Sequence, residues 1–227
     1  MFLTLLFSSP ALALAWIIAI LFSLTVHEFS HGLVAKLKGD ETAERAGRLT
    51  LNPLAHLDLI GFIPLLLFGF GWAKPVPFNP YNLKNPKWDS VLIALAGPAM
   101  NLIIAILAAI AFRSLVGTGV IGGTNLLTAF LFFLILLNLF LMLFNAIPIA
   151  PLDGSKLFFV LFDAPKYENL RRFVAVRGPQ ILMVAVFISL LTNIDIFFFI
   201  SQPAYGICHA LTGTNCIAYQ NVLFGSI

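Results

Sequence analysis

Charge is scarce in this chain. Only 10% of its 227 residues are Asp, Glu, Lys or Arg, and 60% are hydrophobic. An ordinary soluble domain carries about a quarter charged residues and about half apolar ones, so this composition points to lipid. The net charge of +3 is too small to argue for a nucleic-acid partner. Cysteine is nearly absent, with Cys208 and Cys216 alone, and neither an internal repeat nor a low-complexity tract is visible. The first apolar run lacks a basic flank and continues straight into His27, Glu28 and His31. It is therefore read as a retained span rather than a cleaved leader. The expected organisation is one membrane-embedded domain, residues 1–227, with no appended soluble module.

What is abundant is long apolar runs, and with them 23 phenylalanines. A membrane helix needs ~20 mostly apolar residues. Pro10–Ala35, Ser90–Phe112, Leu126–Ile147 and Pro179–Ile200 meet that need, which predicts four spans. Leu57–Trp72 is apolar but short and holds Gly61, Pro64, Gly69 and Gly71, so a re-entrant segment is expected there. The polar stretches Arg45–Pro53 and Lys74–Pro80 are expected to form short strands, the second at an edge because of its prolines. The predicted fold class is thus an all-α polytopic membrane protein: about four spans, a re-entrant segment and short membrane-associated β-strands.

The basic residues give an orientation. With Leu57–Trp72 re-entrant, one side of the membrane holds Lys36, Lys38, Arg45, Arg48, Lys74, Lys84 and Lys87. The same side also receives Lys156, Lys166, Arg171, Arg172 and Arg177, leaving Arg113 alone opposite. Loops rich in Lys and Arg stay cytoplasmic, so the cytoplasmic face is the one that follows His31. The tail 201–227 then lies outside. There Cys208 and Cys216, eight residues apart, can form a disulfide; two apolar-lined free thiols are the alternative.

Chemistry concentrates at His27-Glu28-Phe29-Ser30-His31. Positions i and i+4 share one face of a helix, so both imidazoles can meet one zinc ion. Zinc lowers the pKa of a water towards ~7, and the adjacent Glu28 can take that water's proton as it attacks a carbonyl. The five-residue pattern alone recurs by chance on solvated helix faces. Here it sits in an apolar helix, where two histidines and a glutamate are costly unless partnered. A catalytic zinc needs a third protein ligand. Asp58 sits at the rim of the short run, and Asp195 lies in the last span. Asp153 follows Pro148-Ile-Ala-Pro151-Leu, where a membrane helix must unwind, and irregular backbone at that depth is tolerated where it lines a cavity. Asp153 is the expected third ligand, and the N-cap of a helix beginning near Gly154 is its alternative role.

Together these residues resemble the site-2 protease family of intramembrane zinc metalloproteases, in its compact prokaryotic form without PDZ or CBS domains. The likeness rests on His-Glu-Phe-Ser-His-Gly (27–32), Gly-Pro-Ala-Met-Asn (97–101) and Pro-Leu-Asp-Gly (151–154). Gly47-Arg-Leu-Thr-Leu-Asn-Pro53 and Gly71-Trp-Ala-Lys-Pro-Val-Pro77 extend it, so that it covers about residues 20–160. The resemblance implies one Zn2+ per chain held by His27, His31 and Asp153, with Glu28 activating water. It also implies that Asn145 binds the substrate backbone or a developing oxyanion, and it leaves Asn101 and Gly97 with structural roles. The expected partners are the lipid bilayer and single-span membrane-protein substrates, and the location is a prokaryotic cell membrane. His56 is expected at the rim and His209 apart from the site. A transporter on a broken helix or an inactive scaffold remains as an alternative, and neither explains the His27–His31 spacing. A CAAX-processing zinc protease would use a later buried glutamate, whereas Glu168 falls in the basic loop.

Overall fold

The computed structural model describes residues 2–68, 71–117, 125–192 and 194–224. Gly69 and the last three residues of the tail lie outside them. Eleven α-helices occur among the described residues: α1 (Phe2–Ser8), α2 (Pro10–Leu37), α3 (Thr42–Arg45), α4 (Pro53–His56), α5 (Leu59–Phe68), α6 (Pro86–Gly117), α7 (Leu126–Asn145), α8 (Gly154–Leu161), α9 (Glu168–Thr192), α10 (Phe198–Thr212) and α11 (Cys216–Phe224). Four are long and apolar enough to cross a membrane: α2, α6, α7 and the helical run 165–192 that contains α9.

Local chemistry sets the helix ends. Pro10 opens α2 at its first turn, where a missing N–H is not needed. Asn125 caps α7 by accepting from the Leu127 and Thr128 N–H groups at 2.9 and 3.0 Å, while Thr128 Oγ1 accepts from Asn125 N at 3.1 Å. Gly213 ends α10 at φ +72°, a left-handed conformation that suits glycine.

Helices α2, α6 and α7 pack against one another to form the centre. Ala13, Ala19, Ala105, Ala109 and Ala129 are almost wholly buried there, around Phe112, Phe132, Ile135 and Leu139. Small side chains let the backbones approach closely, which in lipid supplies the packing that water would drive elsewhere. Helices α10 and α11 close one end of this trio. Cys208 and Cys216 form a disulfide and are both buried, and the Tyr219 ring lies edge-on to Phe112 with centroids 5.4 Å apart. Helix α9 stands more apart, burying only Gly178, Leu182 and Val186.

Three expectations need correction. The fourth long helix begins well before Pro179 and ends at Thr192, so most of the polar stretch 163–177 is helical. Pro179 is tolerated inside it next to Gly178, whose missing Cβ would meet an Ile149 methyl at 2.9 Å. No strand occurs among the described residues. Pro53 instead starts the short α4, capped by Asn52, and Pro75, Pro77 and Pro80 remove the donors a strand over 74–80 would need. The re-entrant segment is likewise not supported: the run resolves into the single helix α5, about 15 Å long by its ten residues. Close by, Gly71 lies against the Gly61 carbonyl, where no Cβ would fit.

The polar connections hold one another through buried groups. Asp40 is fully buried and accepts from Thr42 N and Oγ1, Asn79 N and Asn82 Nδ2 at 2.5–3.1 Å. Arg48 Nη2 donates to Lys74 O, and Lys74 N donates to His56 O at 2.9 Å. These links bring the segment 71–79 back across the C-terminal half of α2.

Candidate metal centre

The i, i+4 spacing on α2 places the two imidazoles side by side, with His27 Nε2 and His31 Nε2 3.0 Å apart. Both are buried. Each ring is held through its other nitrogen. His27 Nδ1 bonds Asn101 Oδ1 at 2.5 Å, and His31 Nδ1 bonds the Ile93 carbonyl at 2.7 Å. Both acceptors lie on α6. Pro98 lacks the N–H that would pair with the Ala94 carbonyl, whereas His31 uses the Ile93 carbonyl one residue earlier in α6.

The Nδ1 atoms facing these oxygens carry protons, so in the neutral imidazoles both Nε2 atoms carry lone pairs. They point at the same atom, Asp153 Oδ2, 3.3 Å from each. That oxygen is buried without a hydrogen-bond partner. Asp153 occupies the N-cap position of α8 but caps nothing, so its carboxylate is free for the histidines. The turn before it, with the Ala150–Pro151 peptide cis, carries the chain from α7 to this point.

Two lone pairs and a carboxylate oxygen in such contact repel unless a cation lies among them. A tetrahedral zinc with bonds of about 2.0–2.1 Å separates its ligand atoms by about 3.3–3.4 Å. The observed separations of 3.0, 3.3 and 3.3 Å come close to that triangle. Gly97 supplies the room: a Cβ there would lie 2.5 Å from His27 Cε1 and from His31 Nε2. His27, His31 and Asp153 are the one group of potential ligands found to converge in this way among the described residues.

Glu28 follows His27 and is partly exposed. Its Oε2 accepts from the Val76 N–H at 2.9 Å, so the segment 71–79 holds one carboxylate oxygen. Other expected residues stand apart. Asn145 donates to the Leu141 carbonyl of its own helix at 3.0 Å and, among the described residues, makes no hydrogen bond to the histidines or Asp153. Asp58 accepts from Trp72 Nε1, and Asp195 from Ser201 Oγ. His56 is buried and donates to Thr50 O at 2.8 Å, a loop contact, and His209 bonds Thr214 O at the far end.

Sequence reasoning missed Asn138 and gave Ser23 no role. Asn138 Oδ1 accepts from Asn101 Nδ2 at 2.8 Å, and Asn138 Nδ2 donates to Ser23 Oγ at 2.8 Å. All three are fully buried. The signal was available: Asn138 is a lone amide inside the apolar run Leu126–Phe144.

Comparison with known proteins agrees with this chemistry. The family model for peptidase family M50 matches residues 15–127 and 121–192. "Putative zinc metalloprotease YwhC" of Bacillus subtilis is 44% identical over 147 residues, covering 62% of this chain and 66% of that protein. "Putative zinc metalloprotease Rip2" of Mycolicibacterium smegmatis is 37% identical over 92 residues, 38% of this chain and 35% of that protein. The protein of the same name in Mycobacterium tuberculosis is 32% identical over 140 residues, 59% and 52% of the two chains. The matched region thus spans less than two-thirds of each relative. No solved structure matches the chain.

Proposed function

The chain belongs to peptidase family M50, and from that premise we propose that it is a zinc metalloprotease that cuts membrane proteins within or near their spans. One observation carries the reading: His27 Nε2, His31 Nε2 and Asp153 Oδ2 converge with their proton partners turned away. His27, His31 and Asp153 would hold one zinc ion. When bound, zinc supplies Lewis acidity that lowers the pKa of a water towards ~7.

The protein's own groups do the rest. Glu28 is the general base: it takes a proton from the attacking water and returns it to the leaving amine. Val76 N–H holds Glu28 Oε2 and so orients the carboxylate during that exchange. Asn145 sits at the end of α7, from which the segment 146–152 leads to Asp153, and its amide is assigned to the substrate backbone or the developing oxyanion. A peptide bond in a membrane helix is shielded by its i→i−4 hydrogen bonds, so the substrate must unwind before attack.

The site faces the cytoplasm in this reading. Lys38 pairs with Asp89 at the start of α6, and Lys87 and Arg171 pair with Asp163, all at the end of the bundle near His31. The disulfide lies at the opposite end, beside Phe112 and the start of α7. A disulfide on the outer side and basic residues on the inner one are what the two compartments favour.

The test is to purify the chain and Glu28→Gln in detergent, measure zinc per chain and assay cleavage of a single-span substrate. About one zinc in both proteins, with cleavage only in the unaltered chain, is expected. A folded protein without zinc would refute the proposal.

A further inference from the structure

Four buried polar residues on three helices form one directed chain. Its direction is set by atoms that can only accept. Ser23 Oγ donates to the Ala19 carbonyl at 2.7 Å, so it accepts from Asn138 Nδ2 at 2.8 Å. The same amide nitrogen donates to the Leu134 carbonyl at 2.7 Å. Both of its hydrogens are then in use. A flipped Asn138 would set its oxygen against the Leu134 carbonyl, lone pair to lone pair, in a fully buried site.

Asn138 Oδ1 must accordingly face α6, where it accepts from Asn101 Nδ2 at 2.8 Å. That contact turns Asn101 Oδ1 towards His27 Nδ1, at 2.5 Å. An oxygen there calls for a proton on Nδ1, and a neutral imidazole protonated on Nδ1 keeps its lone pair on Nε2. Nε2 is the nitrogen that meets Asp153. Were Asn101 free to rotate, its NH2 group could face His27, and the imidazole would then favour a proton on Nε2.

We propose that Asn138 is a positioning residue: from α7 it sets, through Asn101, the histidine tautomer that offers His27 Nε2 to the metal. The inference rests on the zinc reading of the site. Partners that fix a ligating histidine in this way typically change metal affinity about tenfold to a hundredfold when removed. Among the described residues Asn138 makes no hydrogen bond to His27 or Asp153; it reaches the His27 ring through Asn101 and the backbone of α2 through Ser23, and the double variant separates the two routes.

The experiment measures zinc affinity of the full chain in detergent against a competing chelator, for the unaltered protein, Asn101→Leu, Asn138→Leu and the double variant. Thermal unfolding of the zinc-free proteins is followed alongside. Each single variant is expected to bind zinc about tenfold to a hundredfold more weakly, and the double variant no more weakly than Asn101→Leu. In zinc-free Asp153→Ala protein labelled with 15N-histidine, where no carboxylate faces Nε2, the His27 shifts should move from the Nδ1-protonated tautomer to a mixture when Asn138→Leu is added. A merely structural residue would lower the unfolding temperature without moving those shifts. Unchanged zinc affinity in a folded Asn138→Leu overturns the proposal, as does a further loss in the double variant as large as the loss in the single. If Asn138→Leu does not fold because it strands the Asn101 amide, the comparison of Asn101→Leu with the double variant decides in the same way. An unaltered chain that binds no zinc would instead refute the metalloprotease reading itself.

Discussion

Glu28 Oε2 and the Val76 backbone N–H are 2.9 Å apart, which joins the glutamate after His27 to a proline-flanked segment far along the chain. Val76 lies between Pro75 and Pro77, so it carries the sole donor of that tripeptide.

Val76→Pro removes this hydrogen bond in a backbone that, preceding a proline, is already extended, and Val76→Ala is the control for the loss of the side chain packed beside Gly32. A hydrogen bond to a charged group contributes about 1.5–3 kcal/mol, so kcat should fall about tenfold to a hundredfold. Zinc content and KM should stay near those of the unaltered chain. Equal kcat in the two proteins would reduce the contact to a packing detail.

Gly97→Ala tests the space beside the imidazoles. Alanine favours a helix over glycine by about 1 kcal/mol, so propensity alone predicts a gain in stability. The new Cβ would lie 2.5 Å from His27 Cε1 and His31 Nε2, and overpacking of that kind costs about 1–3 kcal/mol. Zinc affinity measured by chelator competition should drop at least about tenfold, with the fold intact by circular dichroism.

Asp40 gives a pH dependence outside the spans. Burial pushes its carboxyl up, but hydrogen bonds from Thr42, Asn82 and Asn79 outweigh that and hold the pKa below the ordinary carboxylate value. A depressed carboxyl contributes stability above its unfolded pKa of about 4 and loses it as pH falls through the folded value. Unfolding temperature in detergent should thus favour the unaltered chain over Asp40→Asn at neutral pH, and the gap should close in acid. A gap independent of pH would show that the carboxylate charge plays no part.

The two ends of the bundle make a topological prediction. His209 near the disulfide and Lys166 near the basic end are both exposed. In a chain carrying Cys208→Ala and Cys216→Ala, His209→Cys should react with a membrane-impermeant maleimide in intact cells. Lys166→Cys should react only after permeabilisation. The reverse pattern would put the proposed site on the outer face.

Three of the four long helices were readable from hydropathy, since the bilayer demands a run of a set length and little else. The α9 boundary was not, because Arg171, Arg172 and Arg177 look like loop residues until the helix that carries them is seen. The strands expected beside the site failed for a local reason: prolines remove the N–H groups through which strands pair. Asn145 could be located from sequence, yet its amide donates to the Leu141 carbonyl of its own helix.

The sequence by itself determined that His27 and His31 share a helix face inside an apolar span, because helical periodicity and the cost of burying charge are local facts. Only the tertiary structure decided that the Asp153 carboxylate leaves its cap position to meet both imidazoles. It alone also showed the amide chain from Asn138 through Asn101 behind His27. Those contacts join α2, α6, α7 and the start of α8. Their distances depend on how closely the glycine and alanine faces let these helices approach, which no stretch of sequence specifies alone.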